Sequence, residues 1–264
     1  MTKKGFIKKG LLLMLTFSLT FVSVPVMAAE EAPVSVTTLA AAKNGWVKEK
    51  AGYCYYKNGK KVTNKLIKVN GKTYYVGANG VRKTGWYTVG NKSYYFASNG
   101  VCQKSKKIDA ALVKAMDSII KKGKITEATA DKTALKKLFT YCTKNFKYQR
   151  VMGFKPTSGW QYTYAKQMLT QKKGSCYHDA AAYACLIKRA TGLPVRVCIG
   201  QGKVYSNQFQ AHGWVEVKVG KTWYTYDTNA NRFSDLRKGK WFGQKRSAME
   251  GKVYKTQKVF NVEL

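Results

Sequence analysis

The chain has 264 residues, 45% of them apolar, with 18 Tyr, 11 Phe and 6 Trp but four Pro, a composition that excludes disorder along the whole length and suffices for one or two cores. Its formal charge of +35, from 48 Lys and Arg against 13 acids, favours polyanions through long-range attraction. Those cations run along the entire chain with no compact basic block, so nothing in it marks a nucleic-acid partner.

The N-terminus carries Lys3, Lys4, Lys8 and Lys9, then an apolar stretch from Leu11 to Val26, then Val26-Met27-Ala28. A basic start, an apolar middle and small residues at a cleavage site predict a signal peptide over residues 1–28. The alternative is an uncleaved anchor, for which the apolar stretch is marginal in length. Its removal leaves +31, because it holds four Lys and no acid. No second apolar run follows, so the expectation is no transmembrane segment after cleavage and a place outside the cytoplasm. There disulfides are permitted. Residues 29–43 are rich in Ala, Val and Thr and read as a linker.

From Gly45 the texture changes to a repeat of about 20 residues. Gly45-Trp46 returns as Gly85-Trp86, with Lys65-Leu66 midway. Tyr55-Tyr56 returns as Tyr75-Val76 and Tyr95-Phe96. Asn58-Gly59, Asn70-Gly71, Asn79-Gly80, Gly90-Asn91 and Asn99-Gly100 supply turns, since Asn and Gly tolerate positive φ. Residues 44–104 are therefore predicted to be stacked β-hairpins, each too small to stand alone. Cross-strand aromatics in such an array also serve simply to pack it.

The pattern Gly-Trp, Asn-Gly-Lys, Tyr-Tyr, Asn-Gly resembles the choline- and glucan-binding cell-wall repeats of Gram-positive bacteria. The resemblance implies a β-solenoid whose aromatics cage a ligand, and it makes Trp46, Tyr55, Tyr75, Trp86 and Tyr95 the candidate ligand-binding residues. Cys54, Thr73 and Ser93 stand where the family usually has the Trp of Trp-Tyr-Tyr. The implied partner is a bacterial wall polymer, either an anionic polymer or a glycan.

Two amphipathic helices follow. Ile108, Leu112, Met116 and Ile119/Ile120 mark the first, ended by Lys122-Gly123; Leu135, Leu138, Phe139, Cys142 and Phe146 mark the second. Gly174-Ser175-Cys176 then opens an Ala-rich run that Gly192 and Pro194 close. Cys176 falls in the first turn, where free N–H groups and the helix dipole favour a thiolate. His212-Gly213-Trp214 begins one strand of a predicted hairpin and Thr222 to Asp227 forms its partner. His212 and Asp227 thus lie on paired strands, where a carboxylate can hold one imidazole nitrogen and leave the other to the thiol. His178 lies two residues after Cys176, on another side of the helix, and reads as structural or rim. Asp179 reads as a dipole-complementing acid, and Trp214 and Trp223 as core or groove wall.

Six cysteines occur: Cys54, Cys102, Cys142, Cys176, Cys185 and Cys198. Cys54 and Cys102 are a candidate disulfide within the repeats, and Cys185 and Cys198 read as inert core. No C-x-x-C pair exists and there are two His, so no metal site is expected. The D-x-[DN]-x-[DN]-G loop is absent too, and no calcium dependence is expected.

Gly-x-Cys at a helix start, His-(Ala/Gly)-Trp on a strand and Trp-x-x-x-Asp on the next resemble the transglutaminase-like (papain-type) superfamily. Here these are Gly174-Ser175-Cys176, His212-Gly213-Trp214 and Trp223-Tyr224-Thr225-Tyr226-Asp227, supported by Gly192-Leu193-Pro194-Val195-Arg196. The resemblance implies an α+β fold over residues 105–264, with helices packed on an antiparallel sheet. Cys176 becomes the nucleophile, His212 the general base and acid, and Asp227 the orienting group. The Cys176 N–H is the natural oxyanion donor, with Trp160 and Gln161 as side-chain candidates. The implied activity is attack on amide bonds of a peptide or protein substrate, without a cofactor. The product is a hydrolysed or a transamidated acyl group, and the location is the cell wall of a secreting bacterium. The rival is a non-catalytic wall-binding protein that uses the same fold as a scaffold. An incomplete triad would favour it.

Overall fold

The computed structural model describes residues 42–234 and 240–264; the predicted signal peptide and most of the predicted linker lie outside them. No described helix is long and apolar enough to cross a membrane.

The repeats form eight short strands: β1 (Gly45–Glu49), β2 (Gly52–Lys57), β3 (Lys60–Lys61), β4 (Lys65–Val69), β5 (Lys72–Val76), β6 (Gly85–Val89), β7 (Lys92–Phe96) and β8 (Cys102–Lys107). They pair as β1-β2-β3, β4-β5 and β6-β7-β8, all antiparallel. Asn58-Gly59 and Asn70-Gly71 make the tight turns with positive φ at both residues, the geometry a two-residue hairpin requires. Asn79-Gly80 and Asn99-Gly100 sit instead in longer reversals, where each Asn side chain accepts from the backbone two residues on. Backbone bonds such as Arg82 N–H to Tyr53 O and Lys83 N–H to Tyr75 O stitch successive hairpins together.

All six cysteines are free thiols, so the Cys54–Cys102 disulfide is not formed. Cys54 is fully buried on β2 beside Val81, whereas Cys102 starts β8 opposite Phe96, a full repeat away.

The remainder is α+β. Helices α1 (Ala110–Lys122) and α2 (Asp131–Asn145) lead to a two-residue strand β9 (Lys147–Tyr148). Next come α3 (Trp160–Gln171), strand β10 (Lys173–Gly174) and α4 (Cys176–Thr191). Then follow β11 (Val195–Gly202), β12 (Gln210–Val219), β13 (Thr222–Tyr226), α5 (Thr228–Phe233), β14 (Phe242–Lys245), α6 (Arg246–Met249) and β15 (Tyr254–Asn261). The five long strands form an antiparallel sheet in the order β14-β13-β12-β11-β15.

Helix α4 is the centre of this core. Every residue from His178 to Ile187 is buried, and Ala180, Ala181, Ala182 and Ala184 keep that surface flat. Small side chains let α2, α3 and the sheet approach from several directions at once. Burying Leu186 and Ile187 contributes roughly 1.5–3 kcal/mol each. Gly192 ends the helix with φ +71°, a left-handed cap that Gly adopts without steric cost.

Candidate active site

The start of α4 is built by close packing. Strand β10 pairs in parallel with β9, Gly174 opposite Tyr148. A Cβ on Gly174 would lie 2.6 Å from the Cβ and Cγ of His178, which is why the first residue of Gly-x-Cys has no side chain. His178 turns back so that the Ser175 N–H donates to its Nδ1 at 3.3 Å, the return arm of a helix-capping box. Its Nε2 meets Gln167 Oε1 at 3.0 Å and its ring stacks on Tyr164 at 4.0 Å. Burial lowers its pKa to about 4. His178 is therefore a neutral, structural imidazole.

Cys176, 7% exposed, is the first residue of α4. Its own N–H has no intrahelical acceptor and is a natural donor to an oxyanion forming at the thiol. The residue after it, Tyr177, lies against Gly213, where a Cβ would come within 2.8 Å of its ring. That contact explains the small residue between His212 and Trp214, and it docks the start of α4 onto β12.

His212 is fully buried, and its Nε2 lies 2.7 Å from Asp227 Oδ2. Val215 pairs with Tyr226, so the alternation of the strands puts His212, Trp214 and Asp227 on one face. Three donors hold the Asp227 carboxylate: His212, the Tyr254 hydroxyl at 2.8 Å to Oδ2, and the Ala230 N–H at 2.8 Å to Oδ1. The last of these caps α5. The other imidazole nitrogen, Nδ1, makes no hydrogen bond of good geometry. The charge of Cys176 nevertheless acts on the ring. Contacts between nucleophile and base are commonly loose until substrate tightens them. Burial by itself lowers the His212 pKa, but the charges of Asp227 and Cys176 and the hydrogen bond to Asp227 raise it to about 10. The imidazolium is thus the favoured form of His212 at neutral pH.

Behind His212 and Asp227 runs a second buried network. Asp179, with no exposed surface, takes both guanidinium arms of Arg232 at 3.1 Å and Asn229 Nδ2 at 2.8 Å. Arg232 also binds the carbonyls of Cys142 and Thr143, which ties α5 to the end of α2. Burial raises the Asp179 pKa, against the lowering by Arg232 and Asn229. Asn229 Oδ1 accepts from Tyr205, whose ring meets that of His212 edge-on at 5.8 Å. Asp179 therefore supports the site through α5 as well as complementing the dipole.

A cleft of about 610 Å³ opens over Cys176 between Tyr148, Arg150, Phe154, Tyr177, Tyr205 and Gln210. Trp160 and Gln161 are not among its walls. Trp160 packs under Phe154 at 4.9 Å and against Phe260 at 5.5 Å, and Gln161 reaches the Asn261 carbonyl at 3.5 Å. They open α3, whose first turn is held against β15. Tyr205, Tyr254 and Arg232 were not singled out from the sequence. Each reaches the site from a loop or element whose position depends on distant chain. Among the described residues no group of three or more His, Cys, Asp or Glu is placed to hold a metal ion.

In the hairpin array Trp46 meets Tyr55 at 5.2 Å and Tyr74 at 5.0 Å, and Trp86 meets Tyr95 at 5.4 Å. Tyr75 does not join them. It is buried against Tyr87 and Phe96, with its hydroxyl on Asn64. Neighbouring residues of a strand face opposite ways, so Tyr74 takes the outward place and Tyr75 the inner one. The chain's own cations lie over these rings. Arg82 covers Trp46 and Tyr53, Lys104 covers Trp86 and Tyr95, and Lys106 covers Trp86.

An antiparallel sheet under a buried helix that begins at a thiol is a thiol-enzyme fold. Residues 120–228 match the family model of the transglutaminase-like superfamily, and residues 64–81 and 84–102 match that of a cell wall binding repeat of the choline-binding type. The chain thus joins a transglutaminase-like domain to choline-binding-type repeats. A comparison with curated proteins found no match. Among solved structures, a candidate cysteine protease from Cytophaga hutchinsonii is 18% identical, covering 57% of this chain and 50% of that one, with a TM-score of 0.36. A TGase is 16% identical over 45% of this chain and 31% of that one, at 0.35. The pneumococcal cell wall endolysin from phage Cp-1, complexed with choline, is 17% identical over 70% and 29%, at 0.22. The chain spans half or less of the length of each of the three.

Proposed function

We propose that the protein is a secreted, wall-associated thiol enzyme that attacks amide bonds of peptides or proteins, as a cysteine peptidase, amidase or transglutaminase. The observation that carries this reading is the buried His212–Asp227 pair at 2.7 Å, beside a thiol at the first position of a helix. The Cys176 thiolate attacks the amide carbonyl carbon, and the Cys176 N–H faces the oxyanion. The C–N bond breaks as the imidazolium of His212 gives its proton to the leaving nitrogen. The resulting thioester is attacked by water or an amine, which loses a proton to His212; the C–S bond breaks and the thiolate returns. Asp227 keeps the imidazole in the required orientation throughout.

Residues 44–104 serve in this reading as the wall anchor, residues 105–264 as the catalytic domain, 29–43 as the linker between export signal and anchor, and residues 1–28 as the export signal. Support for the anchor comes from the matched repeats and from charge: residues 42–107 hold 15 Lys and Arg and one acid, Glu49. An anionic wall polymer or a glycan is the partner of that surface. Binding to isolated walls is expected to weaken with salt and to be indifferent to Cys176→Ala.

The test of catalysis is intact-protein mass spectrometry with iodoacetamide at graded pH, followed by peptide mapping. Cys176 is expected to label ahead of the other five cysteines below pH 7, and His212→Ala to slow it at least tenfold. Slow labelling that is unchanged by His212→Ala would remove the proposal.

A further inference from the structure

The cleft over Cys176 and a neighbouring pocket share one electrostatic property. Among the described residues the main cleft has a single charged side chain in its lining, Arg150. On the far side of the Phe154–Tyr177 stack, whose rings lie 3.8 Å apart, a second pocket of about 240 Å³ also has one, Lys258. Among the described residues no carboxylate lines either chamber. The acids built into the site, Asp179 and Asp227, are buried and engaged by Arg232, Asn229, His212, Tyr254 and Ala230.

Arg150 is placed in the lining of the cleft by backbone structure. The β9–β10 pairing sets Tyr148 opposite Gly174, and the Gln149 N–H donates to the Gly174 carbonyl at 2.8 Å. The chain therefore passes Arg150 along the cleft two residues beyond Tyr148, just as β10 delivers Cys176. The Tyr148 hydroxyl feels both groups, the Cys176 charge raising its pKa after burial and the Arg150 charge lowering it. Arg150 is exposed and makes no ion pair or hydrogen bond with the described residues. Its five N–H donors are thus available in a fork that matches a carboxylate. Tyr148 and Met152, 45% and 76% exposed, add apolar surface on the same rim.

We infer that Arg150 is a specificity residue that selects acyl donors bearing a carboxylate beside the scissile amide, and that the cationic chambers disfavour an ammonium acceptor, leaving water to resolve the thioester. The inference rests on the thiol-enzyme reading above and narrows it to hydrolysis of anionic peptides. A lysine-type acceptor must approach as a cation or lose its proton first, against the charges of Arg150 and Lys258. Water pays no such electrostatic penalty. Hydrolysis then follows the balanced steps already given, with water losing one proton to His212 as its oxygen displaces sulfur.

The test needs no natural substrate. Cys176 of the full chain is alkylated by three small reagents that differ in charge: iodoacetate, iodoacetamide and 2-bromoethylammonium. Rates are normalised to those of a free thiol and compared between wild type and Arg150→Gln. The expected result is a preference for iodoacetate over iodoacetamide that falls roughly tenfold in Arg150→Gln, the weight of a charge-assisted hydrogen bond at an exposed site. The 2-bromoethylammonium rate is expected to be the lowest in wild type and to rise in the variant. Fast labelling of Cys176 with the same charge preference in both proteins overturns the inference and leaves the thiol-enzyme reading intact. Labelling by all three reagents no faster than in the denatured chain overturns both.

Discussion

Asp227→Asn changes one atom of the site and almost no volume, and it separates the charge of the carboxylate from its place. The Asn Oδ1 still accepts from the Ala230 N–H, so the cap of α5 survives. Where Oδ2 stood, an NH₂ now faces His212 Nε2 and the Tyr254 hydroxyl, both within 2.8 Å. To accept from that NH₂ the imidazole must carry its proton on Nδ1, towards the thiol, where it cannot take another. The magnitude follows from the imidazole's basicity. Asp227 and Cys176 hold its pKa near 10 against burial, from an ordinary value of 6.5. A return to the ordinary value shifts proton transfer from thiol to imidazole by about three and a half decades, and a lower value by more. An unassisted thiol with a pKa of about 8.5 still supplies roughly 0.3% thiolate at pH 6, which sets a floor. The expected fall in Cys176 alkylation at pH 6 is therefore about 10²- to 10³-fold, with the fold retained by circular dichroism. For a serine-protease triad the same Asp-to-Asn change costs about 10⁴ in turnover. Alkylation at the wild-type rate in a folded Asp227→Asn protein would refute the assignment of Asp227.

Three further outcomes follow from the supports of the site. His178 stays neutral in the folded state down to about pH 4, while in the unfolded chain it takes a proton near 6.5, so stability is full above 6.5 and is lost as pH falls towards 4. The loss is at most about 3 kcal/mol; urea titrations across that window should show it, and His178→Gln, which can still reach the Ser175 N–H, should flatten the slope. Gly174→Ala puts a Cβ against the His178 ring and is expected to cost about 1–3 kcal/mol in thermal melts and to slow Cys176 alkylation; a wild-type melt and rate would mean that this contact does not set the start of α4. Arg232→Met strands the buried Asp179 and is expected to cost about 3–5 kcal/mol, most of it regained in Arg232→Met/Asp179→Asn; no regain in the double variant would show that Arg232 acts through the α2 carbonyls instead.

The parts of the molecule legible in the sequence are those fixed by short-range physics. Asn58-Gly59 and Asn70-Gly71 adopt positive φ because of their own side chains, whatever surrounds them. The thiol at a helix start and the His212–Asp227 hairpin are likewise local, since a Gly-Ser approach and a four-residue turn settle them within a few residues. Helix α3 was missed because its buried residues are partly polar and aromatic, so no apolar stripe marks it. Which face of a strand looks outward depends on register: the repeat pattern could align Tyr75 with Tyr55 and Tyr95, but the stacking of hairpins turned it inward and Tyr74 out. The same holds at the active site. Tyr254 reaches Asp227 because β15 crosses back to lie beside β11, and Arg150 reaches the cleft through a two-residue parallel pairing. By itself, then, the sequence determined the local settings of three residues: Cys176 at a helix start, and His212 and Asp227 on paired strands. The tertiary structure alone decided which residues surround them, because those arrive through strand order and loop paths that depend on the entire core rather than on neighbouring residues.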